Sequence, residues 1–226
     1  MQAAKAATRT IPIVVIAAGD PVGSGLIGSL ARPGGNVTGL TVLSPELAGK
    51  RLELLKEISR GVARVAVLWN SANPAKVSEW KETQIAAAKL GLRLQSLEVR
   101  TPSDFDRAFE MAQNNHADAL IVFSDPLINS NERRIVDFAI ASRLPSMYTY
   151  REFVDAGGLI AYGPSITDLY KRAAVYVDKI LKGANAADLP VEQPMKFELA
   201  ISLKTAKALG LVIPPSLLLR ADQIIE

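Results

Sequence analysis

Short apolar runs alternate with longer amphipathic stretches along this 226-residue chain, and that alternation narrows its fold more than any other feature. Strand-like runs cover residues 11–17, 37–43, 64–69, 93–99, 119–123, 145–148 and 159–162. Helical patterns fill the gaps at 45–59, 74–90, 103–115, 131–143 and 168–183. Within 45–59, Leu47, Leu52, Leu55 and Ile58 form one stripe at helical spacing. Asn73 before Pro74 reads as an N-cap followed by proline at the first helical position. Lys182-Gly183 reads as a helix end. Strands that are apolar on both faces and alternate with helices belong to parallel sheets covered on both sides, so the expected fold class is α/β. The C-terminal stretch departs from this rhythm, with a proline-punctuated linker, a strand-like FELAIS, a helical KTAKALG and a closing IPPSLLLRADQIIE.

Composition removes several kinds of chemistry. The chain has no cysteine and one histidine, which excludes disulfides, thiolate nucleophiles and Cys/His metal sites. Its carboxylates lack EF-hand spacing, so no metal site is expected. A net charge of +3, spread evenly and without aromatic–basic interleaving, gives no footprint for nucleic acid. His116 precedes the strand 119–123 and Ser124 follows it. The two stand roughly 15 Å apart at about 3.3 Å per residue and cannot act as base and nucleophile. Neither a G-x-S-x-G elbow nor a phosphate-binding G-x-x-x-x-G-K-[ST] loop is present. No apolar run reaches membrane-spanning length, and the first residues lack the apolar centre of a secretory signal. The chain is therefore expected to bind without catalysis and without a cofactor.

One motif argues the other way. Gly23-x-Gly25-x-x-Gly28 follows the first strand with the spacing of a dinucleotide-binding turn. That turn needs its first glycine at the strand tip, so that the pyrophosphate reaches a helix N-terminus at once. Here Gly19-Asp20-Pro21-Val22 intervene, and the glycines are expected in the first helical turn instead. A nucleotide-cofactor-dependent enzyme using Gly23, Gly25 and Gly28 is thus the alternative reading.

In parallel α/β sheets ligands sit beyond the carboxyl ends of the strands. Those ends present Asp20 and Pro21, Asn70 and Asn73, Ser124 and Asp125, Tyr148 and Tyr150, and Gly163. Short polar side chains, aromatic rings and helix N-termini suit a small polar molecule carrying an amine or a carboxylate. Asp20 is the candidate for the amine. Asn70 and Asn73, with the helix N-terminus at Pro74, are candidates for a carboxylate. Ser124 and Asp125 would add polar contacts, and Tyr148 or Tyr150, taken as sharing one face, would pack on an apolar or aromatic side chain.

The strings GDPVGSGL, RPGGNVTGLT, ELAGKRLELLKE, RVAVLWN, AGGLIAYGP, AAVYVDKILKGA, LPVEQPMKFELAISLKTAKALGL and IPPSLLLRAD resemble the substrate-binding proteins of bacterial ABC importers. More narrowly, they resemble the family of tryptophan/tyrosine-type binding proteins. The resemblance runs the length of the chain and implies a type I periplasmic-binding-protein fold, with two lobes closing on a small amino-acid-like ligand in the cleft between them. It implies an ABC permease as partner, a periplasmic or other extracytoplasmic location and no catalysis. A ligand-sensing regulatory domain of the same fold is a further alternative. By the same analogy, residues 1–42 and 158–189 are a remnant of lobe one whose first strands are missing. Residues 43–157 and 190–226 are lobe two, with hinge crossings near 41–44, 156–159 and 191–196. The strand 11–17 would then lack a neighbour, and self-association through an exposed sheet edge is expected.

Overall fold

A computed structural model describes residues 1–42 and 44–226. In chain order the elements are α1 (Gln2–Ala7), β1 (Ile13–Ala18), β2 (Val37–Thr41), α2 (Ala48–Ile58), β3 (Arg64–Asn70), α3 (Pro74–Leu90) and β4 (Arg93–Val99). Then come α4 (Asp104–Asn114), β5 (Ala119–Val122), α5 (Pro126–Asn129), α6 (Glu132–Ala141), β6 (Ser146–Tyr148), α7 (Glu152–Asp155) and β7 (Ile160–Pro164). The chain ends with α8 (Ile166–Leu181), a 3-10 turn (Ala186–Asp188), β8 (Phe197–Ser202), α9 (Leu203–Ala208), α10 (Pro215–Leu218) and β9 (Gln223–Ile225). Leu43, where the second strand-like run ends and one hinge crossing is expected, lies outside the described residues.

The chain divides into two units. Unit 1 comprises Met1–Pro45 and Pro164–Phe197, and unit 2 comprises Glu46–Gly163 and Glu198–Glu226. These boundaries lie further along the chain than 42/43, 157/158 and 189/190. Residues 158–163, expected in the first lobe, lie in unit 2, because Met147 and Tyr148 of β6 pair in parallel with Ile160 and Ala161 of β7.

Unit 2 is built on a sheet of order β4-β3-β5-β6-β7-β8-β9 among the described residues. The β3–β4, β3–β5, β5–β6, β6–β7 and β8–β9 pairs are parallel. Strand alternation sorts its core into two layers. Val65, Val67, Trp69, Ile121 and Phe123 join Leu52, Leu55 and Ile58 of α2 on one face. Ala66, Leu68, Leu120 and Val122 join Phe105 of α4 and Ile135 of α6 on the other. Trp69 stacks on Trp80 with centroids 5.6 Å apart and donates its indole N–H to Ser96 Oγ at 2.8 Å.

The start of β3 is held by Asp118. Its carboxylate accepts the N–H groups of Ala63 and Arg64 at 3.1 and 2.8 Å and the Arg64 guanidinium at 3.3 Å. Burial raises its pKa, but these donors outweigh burial and hold the carboxyl below its usual range. A depressed folded-state pKa gives stability that is present above the unfolded value of about 3.9 and lost as pH falls through the folded value. Asp118→Asn should therefore lower stability by about 1–2 kcal/mol at pH 7. The gap should close as urea titrations are repeated from pH 5 down to pH 2.

Unit 1 carries a parallel β1–β2 pair, with Ile13, Val14 and Val15 opposite Val37, Thr38 and Gly39. The other side of β2 meets the linker, where Leu40 bridges Glu192, Thr41 N–H donates to Glu192 O and Glu192 N–H donates to Gly39 O. Helix α8 packs on both strands. It starts with Ser165 as N-cap, accepting Asp168 N–H, and is followed by Gly183 at φ 99°.

Candidate functional site

In unit 1 the first strand is irregular just ahead of the turn that carries Asp20. Register with β2 slips between Val15 and Ala18, and Ala17 adopts φ 60°. One extra residue in a left-handed conformation bends a strand and re-aims the residues beyond it. The Ala18 carbonyl is then fixed by the Thr41 hydroxyl at 2.8 Å and Val42 N–H at 2.9 Å. Asp20 folds back over the turn, with Oδ1 accepting Gly23 N–H at 2.8 Å. The Pro21 carbonyl accepts the N–H groups of Leu26 and Ile27 at 2.9 and 3.0 Å.

This geometry gives the glycines their purpose. A Cβ on Gly23 would lie 2.1 Å from Asp20 Oδ2, so glycine is required for the carboxylate to close the turn. Gly25 has φ 69°, a conformation that glycine adopts without strain. Residues 21–25 are turns, and neither they nor Gly28 lie in a helix. The expected first helical turn is absent there, and a dinucleotide fingerprint without its helix N-terminus has nothing to hold a pyrophosphate.

In unit 2 the loops after β3 and β5 are brought together by the candidates themselves. Asn70 Nδ2 donates to Asp125 Oδ1 at 3.0 Å, and Asn73 Nδ2 donates to Asp125 Oδ2 at 2.6 Å. Asp125 Oδ1 also accepts Leu127 N–H at 2.9 Å and caps α5. Asn73 Oδ1 accepts Ala75 N–H at 3.1 Å and caps α3, as its position before Pro74 implies. Asn70 Oδ1 takes Ala72 N–H at 3.0 Å. These three side chains form a clasp between two loops, and their amides are directed at Asp125.

Ser124 and Tyr150 form a second group. The Asn129 amide donates to Ser124 Oγ at 3.1 Å, and the buried Tyr150 phenol lies within electrostatic reach of Ser124. Burial pushes the Tyr150 phenol up to about 12, against the pull of Ser124 and the positive field of Arg51, so it is neutral at physiological pH. Tyr148 does not share its face. It is sealed in the core, stacked on Phe153 at 4.7 Å, because β6 ends at Tyr148 and the chain bends before Tyr150. Gly163 serves close packing: a Cβ there would lie 2.1 Å from the Thr149 carbonyl.

Next to Tyr150 lies a charged cluster that the strand-end reasoning misses. Arg51 of α2 donates Nε to the Tyr162 carbonyl and Nη1 to Glu79 Oε1, both at 2.9 Å. Lys76 Nζ reaches Glu79 Oε2 at 2.8 Å. All three residues are buried, and burial, opposed by Glu79, lowers the Arg51 pKa. The signal was in the sequence. Arg51 sits four residues from Leu47 and from Leu55, on the apolar stripe of its helix, and Lys76, Glu79 and Thr83 line the inward stripe of α3.

Comparison with known proteins finds relatives along almost the whole chain. The chain is 29% identical over 211 residues to the tyrosine-binding protein of Clostridioides difficile, covering 93% of this chain and 60% of that protein. Thus the chain spans less than two thirds of this relative's length. A conserved domain protein of Vibrio cholerae superposes with a TM-score of 0.92 at 31% identity, covering 99% of this chain and 74% of that one. An ABC domain from Streptococcus pneumoniae in complex with L-Trp gives a TM-score of 0.92 at 29% identity, with 99% and 75% covered. These likenesses bear out the α/β fold of the type I periplasmic-binding-protein kind. The family described as ABC transporter substrate binding protein matches residues 1–225, and the chain belongs to it.

Proposed function

We propose that this chain is the solute-binding component of an ABC importer, taking an amino-acid-like ligand with an aromatic side chain and performing no catalysis. The observation that carries the reading is the family match over residues 1–225, together with relatives described as tyrosine-binding and as complexed with L-Trp. In this reading the chain works outside the cytoplasmic membrane and delivers its ligand to an ABC permease.

Each unit is proposed to carry one group able to touch a ligand, and each is described by itself. In unit 2, Tyr150 offers a neutral ring and hydroxyl beside Ser124, suited to packing on an aromatic side chain. In unit 1, Asp20 uses Oδ1 for its own turn, leaving Oδ2 for a ligand amine. Asn70, Asn73 and Asp125 hold the loops that carry Ser124.

Thermal unfolding against the twenty amino acids, a few sugars, NAD and FAD tests this. A ligand at a hundred times its dissociation constant adds about 2.7 kcal/mol, which for a chain of this size raises Tm by several degrees. Tyrosine, tryptophan or phenylalanine should give that shift, and Tyr150→Ala should remove it. A shift with NAD or FAD, or none with any aromatic amino acid, would overturn the reading.

A further inference from the structure

Unit 2 buries two hydrogen-bond donors that nothing accepts, and the end of β7 brings them together. Arg51 donates Nε to the Tyr162 carbonyl and Nη1 to Glu79 Oε1, both at 2.9 Å. Its remaining nitrogen, Nη2, is buried and has no hydrogen-bond partner among the described residues. The hydroxyl of Thr149 is in the same condition. Thr149 lies against Gly163, the neighbour of Tyr162: a Cβ on Gly163 would stand 3.3 Å from Thr149 Cγ2. Two consecutive residues of β7 thus hold the guanidinium and the threonine. Arg51 and Thr149 are 1% and 2% exposed, and polar groups buried so deeply are nearly always paired.

A guanidinium N–H only donates and a hydroxyl can donate, so what completes this pair is an acceptor. The charge nearby has the same sense. Glu79 Oε2 takes Lys76 Nζ at 2.8 Å, so one carboxylate faces two cations, and among the described residues no other acid pairs with either. Asp125, the buried acid of the neighbouring loops, accepts only the amides of Asn70 and Asn73 and the Leu127 N–H. A surplus positive charge withdrawn from water favours an anion. Tyr150 follows Thr149 in the chain and lies within electrostatic reach of Arg51.

We infer that Arg51 Nη2 and the Thr149 hydroxyl receive the α-carboxylate of the ligand, one donor to each oxygen, and that the Tyr150 side chain turns to admit it. This rests on the reading of the ligand given above and narrows it. The substrate class is the free aromatic amino acid, and the corresponding decarboxylated amine is rejected. A carboxylate meets the guanidinium through a charge-assisted hydrogen bond, the stronger kind. An amine without the carboxylate leaves both donors unpaired and brings a like charge toward Arg51. Lys76 stays on Glu79 and keeps the cluster net positive.

Isothermal titration calorimetry of the chain with L-tyrosine, L-tryptophan, tyramine and tryptamine tests this. Each amine should bind about a hundredfold or more weaker than its amino acid, because two hydrogen bonds to a charged group are lost. Thr149→Val keeps the shape and removes the hydroxyl. It should weaken both amino acids about tenfold and leave the amines unchanged. Arg51→Met leaves Glu79 and Lys76 as a matched pair and should bring the amino acids down to the affinity of the amines. Arg51→Lys keeps the charge without the fork and should recover part of the loss. A purely structural role would move amino acids and amines together, and the urea midpoint of each variant reads that effect separately. Amines as tight as the amino acids, or variants that weaken both classes equally, would overturn this proposal and leave the aromatic ligand standing. No binding by any of the four compounds would overturn both.

Discussion

Replacing Glu79 by alanine is expected to destabilise unit 2 by about 3–5 kcal/mol, read as a fall in the urea midpoint at constant slope. Glu79 holds Arg51 on one carboxylate oxygen and Lys76 on the other, and all three residues are withdrawn from water. Removing the acid leaves two buried cations facing one another, whose mutual repulsion adds to the loss of their hydrogen bonds. The pair of charges is not itself a source of large stability, since taking it out of water costs about as much as the attraction returns. Arg51 even keeps one nitrogen, Nη2, buried without a hydrogen-bond partner. A second variant separates the two effects. Arg51→Met, Lys76→Met and Glu79→Leu together should recover most of the loss, because apolar side chains of similar length refill the space between α2 and α3. If Glu79→Ala alone proves neutral, the cluster is solvated and its burial is not what holds these helices.

Gly39→Ala should be nearly as damaging to unit 1, by about 3 kcal/mol or more. Gly39 has φ 134°, and a Cβ there would stand 2.0 Å from the Val15 carbonyl oxygen and 2.7 Å from its nitrogen. Backbone cannot yield as a flexible side chain can, so β1 would have to part from β2. A strained conformation of this kind adds about 1–3 kcal/mol by itself. Gly25→Ala is the matched control. Its φ is 69°, but nothing lies within 4 Å of the added carbon, so only the left-handed cost of about 1 kcal/mol remains. Urea titration of the two variants should show losses differing at least twofold.

Local signals carried most of the fold. The apolar runs at 64–69, 93–99 and 119–123 became β3, β4 and β5 nearly residue for residue, and Asn73-Pro74 capped α3. Those features depend on a residue and its near neighbours, so they are visible in one dimension. The site was less legible because its character depends on distant pairings. Asn70, Asn73 and Asp125 stand at strand ends as read, but a contact across more than fifty residues makes them a clasp. Tyr148 and Tyr150 looked equivalent until the bend after β6 sent one into the core. Arg51 was readable from its helix stripe, yet its acid lay on another helix. The slip at Ala17 left no trace, since alanine announces no left-handed turn.

The division of the chain has a consequence for how the protein is made. Unit 1 takes β1 and β2 from before unit 2 and α8 from after most of it, and about 120 residues of unit 2 are synthesised in between. At 5–20 residues per second, two apolar strands therefore emerge roughly 6–25 s before the helix that covers them. Unit 2 waits in its turn for β8 and β9 from the final segment. Neither unit can mature until these later segments have emerged, so a nascent chain is expected to engage holding chaperones over that interval rather than fold piece by piece.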